Sequence, residues 1–274
     1  MTVNSYLTNL AGSGIVRDQE KASINRSIVT LEARLRQHFG SDISLQFIFG
    51  SYSRGTILPR NMDANSDVDY MVVFSDGSAR PQTYLNRLRR FVETYYTRSE
   101  ISQSNPTIVL SLNHIKFELV PAISPWFSGL QIPAKASAYE DWIETDPTGF
   151  NQSLSNANQT NRNQIKPLVR VLKYWNAQNR YPFESYELEQ AIVEYGFGFM
   201  GLLGGQQLKD YFYEYVENMS AGWFAAQWKQ DAVARAKSLA EQAKLEERHG
   251  LPASAESTIK RLLPSPGLLT AGGL

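Results

Sequence analysis

Residues 49–56 read Phe-Gly-Ser-Tyr-Ser-Arg-Gly-Thr, and residues 66–73, one loop later, read Ser-Asp-Val-Asp-Tyr-Met-Val-Val. Side chains alternate faces along a strand. Asp67 and Asp69 therefore project together, while Val68, Tyr70 and Val72 turn to the opposite, buried face. Two carboxylates placed in this way suit hard divalent cations, which prefer oxygen ligands. Upstream, an apolar run over 43–49 predicts a strand that ends at the Gly-Ser turn. Gly50 lets the backbone approach a phosphate closely, and the Ser51 hydroxyl with its neighbouring N–H groups can donate to phosphate oxygens.

A third acid follows from the same alternation. In Ile115-Lys116-Phe117-Glu118-Leu119-Val120-Pro121 the apolar residues Ile115, Phe117 and Leu119 share one face, and Glu118 points to the other. Asp67, Asp69 and Glu118 thus form a candidate catalytic and metal-binding triad. Its chemistry is that of nucleotidyl transfer, which asks a protein mainly for in-line positioning and neutralisation of triphosphate charge. A pair of Mg2+ ions roughly 3.5–4 Å apart can serve both the attacking hydroxyl and the leaving pyrophosphate. Asp-x-Asp alone also occurs in surface turns. Its order here, after an apolar strand and a Gly-Ser turn and before a β-rich run, distinguishes it from such turns.

Composition narrows the partners. The 274 residues include 42% hydrophobic and 20% charged residues with a formal net charge of zero, ordinary for a globular protein with two modest cores. Tight binding to long duplexes usually rests on a basic excess, so nucleoside triphosphates fit better than DNA. The absence of cysteine excludes disulfides and thiolate zinc sites, and three scattered histidines (His38, His114, His249) make a poor imidazole site. No apolar run approaches 18 residues, and residues 1–10 lack the features of a signal peptide; a cytoplasmic protein without a membrane segment is expected.

Along the chain the periodicity changes twice. Ile24, Ile28, Leu31, Leu35 and Phe39 recur at helical spacing over 18–39, predicting an amphipathic helix that braces both lobes. Strands are expected at 43–49, 67–74, 107–112 and 115–120, with a helix at 82–97 whose Arg87, Arg89 and Arg90 read as a solvated face or as nucleotide contacts. After residue 120, Pro121, Pro125 and Pro133 break up a segment containing Trp126 and Phe127. A polar stretch over 151–163 then leads into helices near 161–179, 185–200, 205–218 and 222–249. The fold class expected is α+β: a mixed-sheet catalytic lobe over 1–150, a helical lobe over 151–250 with a cleft between the two, and a flexible tail over 251–274. The tail, uncharged from Leu263 and rich in breakers, carries Ser265 and Thr270 as hydroxyls that could prime synthesis.

The helical lobe has a motif of its own, Lys166-Pro167-Leu168-Val169-Arg170-Val171-Leu172-Lys173-Tyr174-Trp175-Asn176 followed by Phe183-Glu184-Ser185-Tyr186-Glu187-Leu188-Glu189. Together with the first motif, the chain resembles the cGAS/DncV-like nucleotidyltransferases (CD-NTases) over residues 15–200. These are polymerase-β-type enzymes that make nucleotide second messengers in bacterial anti-phage defence. The resemblance implies a two-lobed fold with the active site in the cleft, Mg2+ or Mn2+ as cofactor, and ATP or other nucleoside triphosphates as substrates. It also implies a downstream effector protein that reads the product. Lys173 and Ser185 would hold the donor triphosphate, and Tyr186 would stack on a base, an interaction worth on the order of 1–3 kcal/mol.

Local readings stand beside these roles. Ser185 also fits a helix N-cap, with Glu187 and Glu189 complementing the dipole, and Tyr186 and Trp175 also fit a core. Glu118 departs from the many relatives that carry Asp, its extra methylene moving the carboxylate by about a bond length. The zinc-dependent DNA-sensing element of the animal enzyme has no counterpart, so activation by long DNA is not implied. The product, cyclic or linear, stays open. So do a linear product primed from a tail hydroxyl and transfer of a single nucleotide to RNA or a small molecule. A catalytically silent nucleotide-binding sensor is the remaining alternative, one that three mutually repelling carboxylates would not serve.

Overall fold

The computed structural model describes residues 2–104, 106–125, 129–134, 141–198 and 206–267. The chain divides into two compact units, one of Val16–Ile57 and Asn65–Asn151, the other of Met1–Ile15, Leu58–Ala64 and Gln152–Leu274. The first is built on a sheet and the second on helices.

In the sheet unit, α2 (Asp18–Phe39) leads through a 3-10 turn into β1 (Ile43–Ile48) and the short α3 (Gly50–Arg54). Then come β2 (Asp67–Phe74), α4 (Pro81–Tyr95), β3 (Glu100–Ser104), β4 (Thr107–Ser111) and β5 (Lys116–Ile123), closed by β6 (Leu130–Pro133) and β7 (Trp142–Thr145). Among the described residues these strands form one seven-stranded sheet in the order β1-β2-β5-β4-β3, with β6 paired to both β5 and β7. β2 and β5 run parallel and every other pairing is antiparallel. The mixed character follows from chain order, because a parallel pair needs a long crossover, here α4 with the β3–β4 hairpin.

Alternation sets the layers. Val68, Tyr70, Val72 and Phe74 of β2 join Phe117, Leu119 and Ile123 of β5 and Ile108 and Leu110 of β4 in one core. That core is covered by Ile24, Leu31, Leu35 and Phe39 of α2 and by Leu85, Leu88, Phe91 and Val92 of α4. Two arginines of α4 serve this layer, Arg87 pairing with Asp42 and lying over the Phe74 ring at 4.8 Å and Arg89 donating to Gln103 Oε1 at 3.4 Å, while Arg90 is exposed. A smaller apolar cluster of Met71, Val73 and Ala122, with Phe47, Phe49, Leu130 and Ile132, lies on the opposite face of the sheet. Asp67 and Asp69 open that same face.

The helical unit draws on three separate stretches of chain. α1 (Val3–Ser13) buries Val3, Tyr6, Leu7, Leu10 and Ala11, a stripe at helical spacing. These residues pack with α6 (Ile165–Gln178), α8 (Leu208–Asn218), α9 (Gln227–Arg248) and α10 (Pro252–Leu262), while α5 (Pro147–Thr160) contributes Leu154 and α7 (Ser185–Glu194) contributes Leu188 and Ile192. Leu58 and Met62 enter the same core. The segment they belong to is held at Asp63, whose Oδ1 accepts from the Tyr181 hydroxyl at 2.5 Å. Arg180 and Tyr181 adopt φ of 62° and 56°, left-handed values that cost non-glycine residues on the order of 1–3 kcal/mol each. That cost places the Tyr181 ring against a buried carboxylate.

Three expectations change. Residues 2–15 and 58–64 belong to the helical unit rather than to the sheet, because the α1 stripe and Leu58 find their apolar partners there. Residues 252–262 are helix, not tail: Pro252 occupies the first turn, where its missing N–H is harmless, and Ala255, Thr258 and Ile259 are buried. Leu263 is fully buried too, with its carbonyl accepting from the Tyr6 hydroxyl at 2.5 Å, and the Pro264 carbonyl accepts from Tyr174 at 2.9 Å. Ser265 Oγ lies 3.5 Å from Tyr6 Oη. Thr270, Trp126 and Phe127 lie outside the described residues.

Burial and the neighbouring Tyr6 push the Tyr174 phenol up to about 12, and burial with Tyr195 does the same for Tyr215. An unfolded tyrosine titrates near 10. The folded state therefore favours the neutral phenols, and this stability is present in full below pH about 10 and is lost as pH rises towards 12. Urea unfolding midpoints should hold up to pH about 10 and fall above it, with tyrosinate absorbance from these residues in the folded protein emerging only towards pH about 12.

Candidate active site

The register of the parallel pair brings the acids together. Asp69 lies opposite Glu118 and Asp67 opposite Lys116, so all four side chains start from the same face of the sheet. Val68, Phe117 and Leu119, fully buried behind them, lock that facing.

Each acid then leans on a specific neighbour. β1 is followed by Phe49, whose N–H bonds to the Asp69 carbonyl at 3.0 Å, and the chain turns into α3 at Gly50 with φ of 66°. A Cβ at Gly50 would lie 1.7 Å from Asp69 Oδ2. Glycine is thus required twice, for the left-handed backbone and for the volume that the Asp69 carboxylate takes. On the other flank, Glu118 Oε2 accepts from Thr107 Oγ1 on β4 at 3.3 Å, and the same hydroxyl donates to the Ser104 carbonyl at 2.9 Å. Asp69 inclines to the β1 side and Glu118 to the β4 side of the β2–β5 pair. Accordingly, no three Asp, Glu or His side chains among the described residues stand ready-gathered as a ligand set.

The donor chemistry nevertheless fits a hard divalent cation. Three carboxylates rise from adjacent positions on one face, Gly50 leaves Asp69 the space a side chain would take, and neither thiolate nor imidazole competes. Ser51, in the first turn of α3, has a carbonyl that accepts from the N–H groups of Thr56 and Ile57 at 2.9 and 3.0 Å. That folds the Gly-Ser-Tyr-Ser-Arg-Gly stretch back on itself and fixes Ser51 one residue from Gly50.

Lys173, Ser185 and Tyr186 belong to the helical unit. Lys173 is buried on α6 at 6% exposure. Ser185 is the first residue of α7 and Glu184 takes the N-cap place, which removes the N-cap reading of the serine. The two aromatics separate cleanly: Trp175 is in the core at 1% exposure, whereas Tyr186 is 51% exposed and supports no core. A cavity of about 320 Å³ in this unit is lined by Phe183, Glu187, Leu188, Ala191, Tyr195, Tyr215 and Met219, and includes none of the three.

Two chemistry-bearing residues had no role in the sequence reading. Lys116 shares the parity of Glu118 and so was legible as a same-face cation; its ammonium donates to Asn65 Oδ1 at 3.5 Å. Thr107 gave no signal, because its contact with Glu118 depends on the β4–β5 register.

A family model described as the Second Messenger Oligonucleotide or Dinucleotide Synthetase domain matches residues 1–158. The chain belongs to that family. This CD-NTase is similar to a probable cyclic nucleotide synthase of Bacillus cereus (strain VD146), 26% identical over 141 residues, which cover 49% of this chain and 43% of the relative. The match therefore spans less than half the length of that relative. Its fold is similar to that of the Vibrio cholerae DncV cyclic AMP-GMP synthase in complex with the linear intermediate pppA(3',5')pG, at a TM-score of 0.73 and 11% identity, covering 97% of both chains. It is also similar to CdnC of Escherichia coli MS115-1 in its HORMA-deltaN complex, at a TM-score of 0.69 and 13% identity, covering 96% of this chain and 97% of the other. These likenesses make the fold of this CD-NTase polymerase-β-like, as the motifs implied.

Gly50→Ala should leave the helical unit unaffected, because the atoms nearest the new methyl are those of Asp69 and the strained φ lies in the sheet unit. Catalytic turnover is expected to fall at least about a hundredfold, in line with displacement of a reacting group by about 1 Å. Comparable losses for Gly50→Ala and Asp69→Ala would confirm a shared cause; near-normal turnover would refute the close packing of Gly50 on Asp69.

Proposed function

We propose that this CD-NTase is a metal-dependent, template-independent nucleotidyltransferase that joins nucleoside triphosphates into short oligonucleotide second messengers, releasing pyrophosphate, in the setting of bacterial anti-phage defence. The observation that carries this reading is the β2–β5 register, which sets Asp69 beside Glu118 and two residues from Asp67 on one face, with Gly50 packed against Asp69.

Asp67, Asp69 and Glu118 would hold Mg2+ or Mn2+. Bound there, such ions supply charge neutralisation on the triphosphate and lower the pKa of the attacking hydroxyl. The chain's own residues do the positioning. Gly50 presents bare backbone, and the Ser51 hydroxyl donates to phosphate oxygens. The Lys173 ammonium provides the compact positive charge that suits a phosphate, and Ser185 adds a second hydroxyl. Tyr186, exposed on α7, offers a ring face to a base. The DncV likeness supports a linear dinucleotide as a stage that such a fold accommodates. An effector that reads the product completes the proposal.

The test is incubation of the purified chain with labelled nucleoside triphosphates, singly and mixed, with Mg2+ or Mn2+, resolving products before and after phosphatase treatment. Oligonucleotide product from the wild type and a loss of at least about a thousandfold in Asp67→Asn and Asp69→Asn are expected, as for removal of a principal electrostatic stabiliser of the transition state. Product at wild-type rate from both variants would refute the reading. Tyr186→Ala should raise KM about five- to a hundredfold, the equivalent of losing one stacked base, while Tyr186→Phe retains affinity.

A further inference from the structure

The carboxylate of Glu118 is held on the side of β5 away from its partners. Its register neighbour on β2 is Asp69, yet its Oε2 accepts from Thr107 on β4. Thr107 is buried at 6% exposure, so the hydroxyl is shielded from water that would otherwise replace the contact. The hydroxyl has one proton and two acceptors, and Ser104 O at 2.9 Å is nearer than Glu118 Oε2 at 3.3 Å. When Glu118 leaves, Thr107 keeps a good bond to Ser104, and no buried donor is stranded. The hold on Glu118 is therefore real but cheap to release.

Glutamate makes this arrangement possible. Its extra methylene and extra torsion bring the carboxylate to Thr107 on β4 and give it a longer, more adjustable reach than an aspartate has. Leaning Glu118 towards Thr107 also relieves the like-charge repulsion of three carboxylates on one face.

We propose that Thr107 is a positioning residue that competes with the divalent cation for Glu118, so that metal loading requires the glutamate to exchange its Thr107 hydrogen bond for a metal ligand bond. This rests on the reading of Asp67, Asp69 and Glu118 as metal ligands. Thr107 acts through Glu118, the carboxylate its hydroxyl contacts. The consequence is a site whose metal affinity is tuned from a neighbouring strand.

The experiment is Mn2+ titration of the purified full chain without nucleotide, followed by the electron paramagnetic resonance signal of the free ion. Thr107→Val keeps shape and removes the donor, and should tighten Mn2+ binding about two- to fivefold, the equivalent of one long hydrogen bond to a charged group. Thr107→Ala should move affinity in the same direction, and Thr107→Ser, which keeps the hydroxyl, should match the wild type. In a Glu118→Ala background, which removes the accepting oxygen, Thr107→Val should have no further effect, since the coupling runs through the carboxylate. A merely structural role would give the same change with either residue at 118. Unchanged or weaker binding in both Thr107→Val and Thr107→Ala, with normal wild-type binding that Asp67→Ala and Asp69→Ala diminish, overturns the competition while leaving the metal site standing. A wild type that takes up no Mn2+, or binds it equally without Asp67 and Asp69, overturns the metal site and this inference together.

Discussion

The parallel pairing of β2 with β5 is the constraint on which everything functional depends. A slip of one residue would carry Glu118 to the buried face and bring Phe117 to the acids. The register is secured by burial rather than by the acids themselves. Val68, Tyr70, Val72, Phe117 and Leu119 must all face α2 and α4, and only alignments that keep this parity satisfy them together. Three like charges are thus gathered by an apolar layer on the other side of the sheet. The repulsion they bring is offset by hydrophobic burial behind them, and locally by the outward lean of Asp69 and Glu118.

Much of this was legible in the sequence because strand alternation is a short-range rule. Asp67, Asp69 and Glu118 could be assigned a face from their immediate neighbours, and α2 from five apolar positions at helical spacing. What was missed depends on distant partners. The stripe of α1 has helical spacing, but its destination in the helical core is set by residues from 152 onward. The helix over 252–262 was hidden by prolines that read as breakers, although Pro252 at a first turn promotes a helix. β3, β6 and β7 are short strands whose pairing, rather than composition, defines them. Thr107 belongs to the same class: nothing in its own sequence neighbourhood marks it.

The second motif separates along similar lines. Tyr186 and Trp175 look alike as aromatics in a helical pattern, and only burial tells the core residue from the exposed ring. Ser185 and Glu184 differ by one position, within the ordinary uncertainty of a helix boundary, yet that position decides which of them occupies the cap. Glu118 in place of aspartate is the feature whose meaning changed most. In the sequence it is a departure that shifts a carboxylate by one methylene; in the fold, that methylene spans the distance to β4.

The assembly of the helical unit from three separated stretches bears on how the chain reaches this state. The stripe of α1 precedes its partners on α6, α8 and α10 by more than 150 residues. All segments of the sheet unit lie between, and can pair among themselves while Val3, Tyr6, Leu7 and Leu10 still wait for theirs. Contacts of such long sequence separation slow folding and leave apolar surface exposed to aggregation in the interval. The sheet unit that carries the acids draws its segments from within that gap, whereas the helical unit needs both ends of it to close its core.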